Sequence, residues 1–239
     1  MLNFNTFSIV GRDAASGMLG VAVSTKVPAV GSIVPFVRAG VGAIASQAWN
    51  NPLLGIDGLD LLEQGHSAEE TLRKLLEMDP QPELRQVLLV DALGRSAAHT
   101  GSATDPWCGH RVGENYAVAG NMLVGEAVIT SMAEAFEANP EAPLAERLLQ
   151  ALEAGQAAGG DKRGRQSAAL HVVASAPYPY LDLRVDEHPD PVAELRRIYE
   201  VAKKELLPFI EAMPTRSNPR GSFTEELMRR MTVEAPRQP

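Results

Sequence analysis

Two short polar segments interrupt an otherwise apolar chain. Ser46-Gln47-Ala48-Trp49-Asn50-Asn51-Pro52 places a hydroxyl and several amides at the end of an apolar run. Ser46, Gln47 and Asn50 combine donors with acceptors, the groups that orient a small polar molecule by hydrogen bonds. The same groups can instead satisfy the backbone of a capped loop. The second segment, Gly160 to Ser167, runs from a helix into a buried strand. An Asp161 and a Ser167 at a strand mouth can position a proton or a water. The alternative is an Asx turn followed by solvated basic side chains.

Other motifs are weaker. Cys108 lies two residues from His110, the spacing of a thiol and a base on one strand face, but a lone cysteine is more often a small buried hydrophobe. The five histidines show no H-x-x-x-H spacing, and no metal site is expected. Gly40-Val41-Gly42-Ala43-Ile44-Ala45 has the glycine spacing of a dinucleotide turn, yet no helix follows it, so no nucleotide cofactor is expected. Walker A and G-x-S-x-G sequences are absent. A net charge of −8 argues against nucleic acid and anionic membrane as partners. With 45% apolar residues, the 239-residue chain can bury a substantial core.

These segments need elements to hold them. Phe7 to Val10 and Leu19 to Val23 read as a hairpin, with Arg12 to Gly17 as its turn. Val41 to Gln47 is a third strand. Helices follow over Ile56–Glu63 and Ser67–Met78, the latter opened by the capping-box pair Ser67 and Glu70. Gln86–Asp91 and Arg95–Thr100 form a second hairpin around Leu93-Gly94. Tyr116–Leu123 is a strand, and helices occupy Gly125–Glu137 and Pro143–Gln156. Ser167–Val173 and Leu181–Val185 are strands, and Asp190-Pro191 starts a helix to about Leu207. Hairpins alternating with helix pairs predict an α+β fold, two mainly antiparallel sheets packed face to face between helical layers. The composition shifts after Met213. This predicts one domain over residues 1–212 and an extension over 213–239, whose Phe223, Leu227, Met228 and Met231 form an apolar stripe suited to a two-fold partner.

Several longer stretches carry a resemblance. They are Thr6 to Asp13, Gly20 to Lys26, Arg38 to Ala48, Tyr116 to Leu123, Gly159 to Leu170 and Asp182 to Pro191. Together they resemble domain-of-unknown-function family 1028 over about Thr6 to Ile198. That family is grouped with the N-terminal-nucleophile (Ntn) hydrolases, whose fold is the four-layer αββα sandwich. The resemblance implies an amide hydrolase without cofactor. Thr6, at the start of the first strand, would be the nucleophile, with its own α-amine as base. Asn121 would be an oxyanion or substrate donor, and Asp161 and Ser167 would orient the reacting groups. Thr6 is preceded by five residues, so this chemistry requires cleavage between Asn5 and Thr6. The superfamily's lysine on the third strand has no counterpart in Ala43 to Gln47, and Lys26 is the nearest basic candidate.

Two functional readings follow. One is an Ntn-type amide hydrolase acting on a small polar substrate held by Lys26, Ser46, Gln47 and Asn50. The other is a binding or assembly protein that keeps the fold without the chemistry. The N-terminus, Met1 to Asn5, has neither a basic region nor an apolar core, which predicts a cytoplasmic location, and the C-terminal stripe predicts a homodimer. Thr6, Ser46, Asn121 and Ser167 are expected to converge on one cleft.

Overall fold

A computed structural model describes residues 6–232, with 230–232 described by backbone only. The proposed cleavage partner Asn5 and the Met231 side chain lie outside the described residues.

The first hairpin pairs β1 (Thr6–Arg12) with β2 (Leu19–Thr25). Its turn is an Asx turn in which the Asp13 carboxylate accepts the N–H groups of Ala15 and Ser16. A second meander runs through β3 (Pro35–Arg38), β4 (Gly42–Ala48), β5 (Arg85–Asp91) and β6 (Ser96–Thr100). Between β4 and β5 lie α1 (Leu53–Glu63) and α2 (Ala68–Met78). The expected capping box is present, with Ser67 accepting from the Glu70 N–H and Glu70 accepting from the Ser67 N–H. Then come β7 (Gly109–Gly113), β8 (Tyr116–Asn121), α3 (Ala127–Glu137), α4 (Leu144–Ala157), β9 (Ser167–Val173) and β10 (Pro179–Val185). Three helices finish the described chain: α5 (Pro191–Glu205), α6 (Leu207–Ala212) and α7 (Glu225–Thr232).

The strands form two antiparallel sheets, in the orders β10-β9-β2-β1-β8-β7 and β3-β4-β5-β6. β1 packs against β4 and β5 across the interface, α3 and α4 cover the six-stranded sheet, and α1 and α2 cover the four-stranded one. The result is the four-layer αββα sandwich. Strands β3 and β7 were not anticipated from sequence. Both are short edge strands without fully buried residues, so they lack the apolar alternation that marks a strand.

Strand alternation divides the core. On β1 the odd positions Phe7, Ile9 and Gly11 face α3 and α4; a Cβ at Gly11 would meet Leu148 and Phe136 at 3.0 Å. The even positions Thr6, Ser8 and Val10 face the other sheet. The inter-sheet layer is built largely from small and β-branched residues, among them Val10, Val21, Val23, Ala43, Ala45, Leu88, Val90, Ala117, Ala119 and Ala169. A separate apolar cluster, including Ile44, Leu59, Leu75 and Leu89, joins the four-stranded sheet to α1 and α2.

The described chain divides into two compact units between Arg196 and Arg197. In the second, Phe223 packs on Phe209 at a centroid distance of 5.5 Å, while Met228 stays exposed. Phe223 of the expected stripe is therefore engaged within the chain. Among the described residues no helix is long and apolar enough to cross a membrane.

One ion pair secures the loop that follows β4. The fully buried carboxylate of Asp79 accepts from Arg85 Nε at 2.8 Å, from the Gln81 N–H at 2.8 Å and from Asn51 Nδ2 at 3.1 Å. Arg85 Nη1 donates in turn to the Trp49 carbonyl. Burial pushes this carboxyl up, but the hydrogen bonds from Arg85, Gln81 and Asn51 outweigh it and hold it at about 2. A depressed folded pKa stabilises the fold above the ordinary carboxylate value and ceases to do so as pH falls through about 2. Asp79→Asn is therefore expected to cost about 3 kcal/mol at pH 7, and the deficit should shrink between pH 4 and pH 2. Urea unfolding at several pH values measures this.

Candidate functional site

One end of the inter-sheet layer is polar. Register explains how. Thr6 pairs with Thr25 on one side and Asn121 on the other, and Thr25 pairs with Ser167. In the facing sheet Gln47 pairs with Gln86. Moving along the strands in steps of two, these residues take the positions held by Val, Ala and Leu at the other end. Thr6, Ser8, Thr25, Gln47, Gln86, Asn121 and Ser167 are each no more than 2% exposed. Buried polar groups of this number persist only when hydrogen-bonded.

Gln86 organises them. Its NH2 lies within hydrogen-bonding distance of three acceptors, the backbone carbonyls of Gly120 at 2.9 Å and Gly109 at 3.2 Å and Thr100 Oγ1 at 2.9 Å, which share its two protons. A backbone carbonyl can only accept, so the amide has one allowed orientation. Its Oε1 must then face the interior, where it accepts from Asn121 Nδ2 at 3.0 Å and Gln47 Nε2 at 2.8 Å. Gln47 Nε2 also reaches the Ala119 carbonyl at 3.4 Å, and its Oε1 accepts from Ser8 Oγ at 2.6 Å. The orientation of three buried amides is thus set by backbone carbonyls of β7 and β8. Asn121 is held with its NH2 toward Gln86. Beside it, Thr6 Oγ1 donates to Thr25 Oγ1 at 3.2 Å.

The other expected residues are placed as follows. Asp161 is buried and forms an isolated bridge with Leu123, just past Asn121. Its carboxylate accepts the Lys26 N–H at 3.2 Å and the Arg163 N–H at 2.8 Å, tying the end of β2 to the loop before β9. Ser167 Oγ donates to the Val27 carbonyl and accepts the Val30 N–H at 3.2 Å, so it fixes the segment after β2. Ser167 is two strands from Thr6, about 10 Å away at ordinary strand spacing. Ser46 does not join the cluster. It lies between Ala45 and Gln47 on the opposite face of β4, and its hydroxyl donates to the Asn51 carbonyl at 2.9 Å. Asn50 donates to the Ile33 carbonyl at 2.6 Å, and its buried Oδ1 has no partner among the described residues. Lys26 is exposed at the rim. Of the expected converging set, Thr6 and Asn121 are neighbours, Ser167 is two strands away and Ser46 faces elsewhere.

The Cys108 and His110 pairing is not formed. The thiol donates to the Thr104 carbonyl at 3.4 Å, and burial, with Asp105 nearby, pushes its pKa up, the reverse of an activated nucleophile. His110 Nδ1 contacts Thr100 Oγ1 at 2.9 Å, and burial holds the ring below its usual range. A concavity of about 420 Å³ lies at the far end of β1, among Arg12, Asn115 and Arg147, away from the buried amides.

Sequence reading missed Ser8, Thr25, Gln86 and Thr100. Ser8 and Gln86 carried a usable signal, since each is a polar residue on the inward phase of a strand that is otherwise apolar.

Gln86→Leu should be among the most damaging polar substitutions. It removes the acceptor of one Asn121 Nδ2 proton and of one Gln47 Nε2 proton, at about 1–3 kcal/mol for each unsatisfied group. Urea unfolding should show a loss of about 3 kcal/mol, against under about 1 kcal/mol for the exposed Lys26→Ala.

Comparison with solved structures finds protein SPO2555 from Silicibacter pomeroyi, whose crystal structure is 30% identical with a TM-score of 0.84, covering 92% of this chain and 100% of that one. A looser likeness, 13% identical with a TM-score of 0.41, is to Anbu (ancestral β-subunit) from Yersinia bercovieri, covering 87% of this chain and 98% of that one. No curated protein matches. The model of the family of unknown function DUF1028 matches residues 6–195, and the chain belongs to that family.

Proposed function

We propose that this protein is an amide hydrolase of the N-terminal-nucleophile type, with Thr6 as nucleophile. The observation that carries the reading is the position of Thr6. It opens β1 at the polar end of the inter-sheet layer, with its hydroxyl on Thr25 and with Asn121 paired across from it. Removal of residues 1–5 would give Thr6 a free α-amine, whose pKa near about 8 leaves part of it neutral at pH 7.

In this mechanism Thr6 Oγ attacks the carbonyl carbon of the substrate amide while the α-amine takes the hydroxyl proton. Negative charge develops on the carbonyl oxygen. Asn121 Nδ2 has two protons and uses one on Gln86, so the second is available to that oxygen. Collapse of the tetrahedral intermediate breaks the C–N bond, and the leaving amine takes the proton from the α-ammonium. Water then hydrolyses the Thr6 ester and restores the hydroxyl. Gln86 contributes by holding Asn121 in one orientation before substrate arrives, which removes a reorganisation step from the barrier.

The test is a panel of small amides assayed with chain beginning at Thr6, confirmed by intact mass. Thr6→Ala should lower turnover by about a thousandfold or more, and Asn121→Ala by about a hundredfold or more. Turnover unaffected by Thr6→Ala would refute Thr6 as nucleophile. Absence of turnover from every chain form would favour the binding or assembly reading.

A further inference from the structure

The loops around the start of β1 gather several basic side chains. The chain is acidic overall, with 30 Asp and Glu against 22 Lys and Arg. Yet Lys26, Lys162, Arg163 and Arg165 all stand at this one corner. Lys26 directly follows Thr25, the β2 partner of Thr6. Lys162 is joined to the other flank, since its N–H donates to the carbonyl of Met122, directly after Asn121, the β8 partner of Thr6. The two lysines therefore flank β1 on opposite sides, Lys26 one residue beyond Thr25 and Lys162 one residue and one hydrogen bond beyond Asn121.

The charges at the corner are not equally compensated. Arg163 is paired with Asp161 at 3.4 Å and Arg165 with Asp190 at 2.9 Å. Lys26 Nζ donates only to the Arg165 carbonyl at 3.3 Å, and Lys162 Nζ only to the Pro106 carbonyl at 2.7 Å. Neither ammonium forms an ion pair with a carboxylate among the described residues, although Asp105 and Asp186 border the same loops. A neutral carbonyl satisfies a donor but leaves the charge in place. Two exposed ammoniums with no carboxylate in direct contact among the described residues thus lie on either side of the strand that begins with the proposed nucleophile, in a chain of net charge −8.

We propose that the ligand of this site is an anion, a small amide bearing a carboxylate beside its amide bond, and that Lys26 and Lys162 hold that carboxylate beside the start of β1. The inference rests on the hydrolase reading for the amide part of the ligand. The anion preference itself is independent of turnover. Both lysines can leave their carbonyl partners for a carboxylate at little cost, because those carbonyls lie in loops that water reaches.

The experiment titrates the full chain with succinate and, in parallel, with the uncharged succinamide, following the Asn121 side-chain amide in 15N–1H spectra at low salt. Succinate should bind at least tenfold more tightly than succinamide. The double variant Lys26→Met/Lys162→Met should lose that preference, whereas Lys74→Met on α2 should retain it. Equal binding of the two probes, no response to either, or a preference that survives the double variant would overturn the inference. A second arm compares turnover of N-acetylglycine and N-acetylglycinamide by chain beginning at Thr6. Hydrolysis of the uncharged amide alone would overturn the inference and leave the hydrolase standing. A lysine-dependent succinate preference without turnover of either amide would support the anion site and count against the hydrolase.

Discussion

The Gln86 amide is the constraint on which the rest of the site depends. It sits on the four-stranded sheet but directs its NH2 to backbone carbonyls of β7 and β8 in the other sheet. This contact orients Asn121 and Gln47, joins the sheets where they contain polar side chains, and fixes the distance between them. It is possible because β8 presents Ala117 and Ala119 to the interface, and residues of that size let a side-chain amide reach the backbone. A Leu or Val at Ala119 would fill the path of Gln47. The apolar end of the layer supplies the cohesion, and the polar end supplies a fixed arrangement of dipoles.

The same end of the layer is where the chain leaves its regular strands. Ala48 directly follows Gln47 with φ 65°, and Met122 directly follows Asn121 with φ 50°. Left-handed backbone at a residue with a side chain costs about 1 kcal/mol or more. Each of these residues turns the chain away just after an amide of the cluster, so the amide lies at the end of its strand. Asp161, the Asp79–Arg85 pair and Ser167 then hold the outgoing loops by their backbone N–H and carbonyl groups. These three charged or hydroxyl groups act on loop position, and the inter-sheet amides act on the site itself.

Much of the fold was legible from sequence, because it depends on local signals. The Ser67 and Glu70 capping box, the Leu93-Gly94 turn and the period-two runs of β1, β2 and β9 are each contained in a few residues. Edge strands β3 and β7 were not legible, since their residues are half-exposed and lack alternation. The site was read only in part. Thr6, Gln47 and Asn121 fall in the one buried polar cluster, but Ser46 was grouped with Gln47 through adjacency, and neighbours on a strand face opposite ways. Gln86 was missed because its role needs β5 placed against β8, a long-range relation that no local pattern carries. The Cys108 and His110 spacing suggested a pair, and the fold instead assigns His110 to Thr100.

The Thr6 hydroxyl is the proposed nucleophile of the buried polar end. The most direct measurement exposes chain beginning at Thr6 to a small β-lactone, an electrophile that a hydroxyl opens to leave a stable ester, and maps the adduct by peptide mass spectrometry. A single acyl group is expected on Thr6, absent from chain that retains residues 1–5. An unmodified Thr6, or an adduct at Ser46 or Cys108 instead, would contradict it.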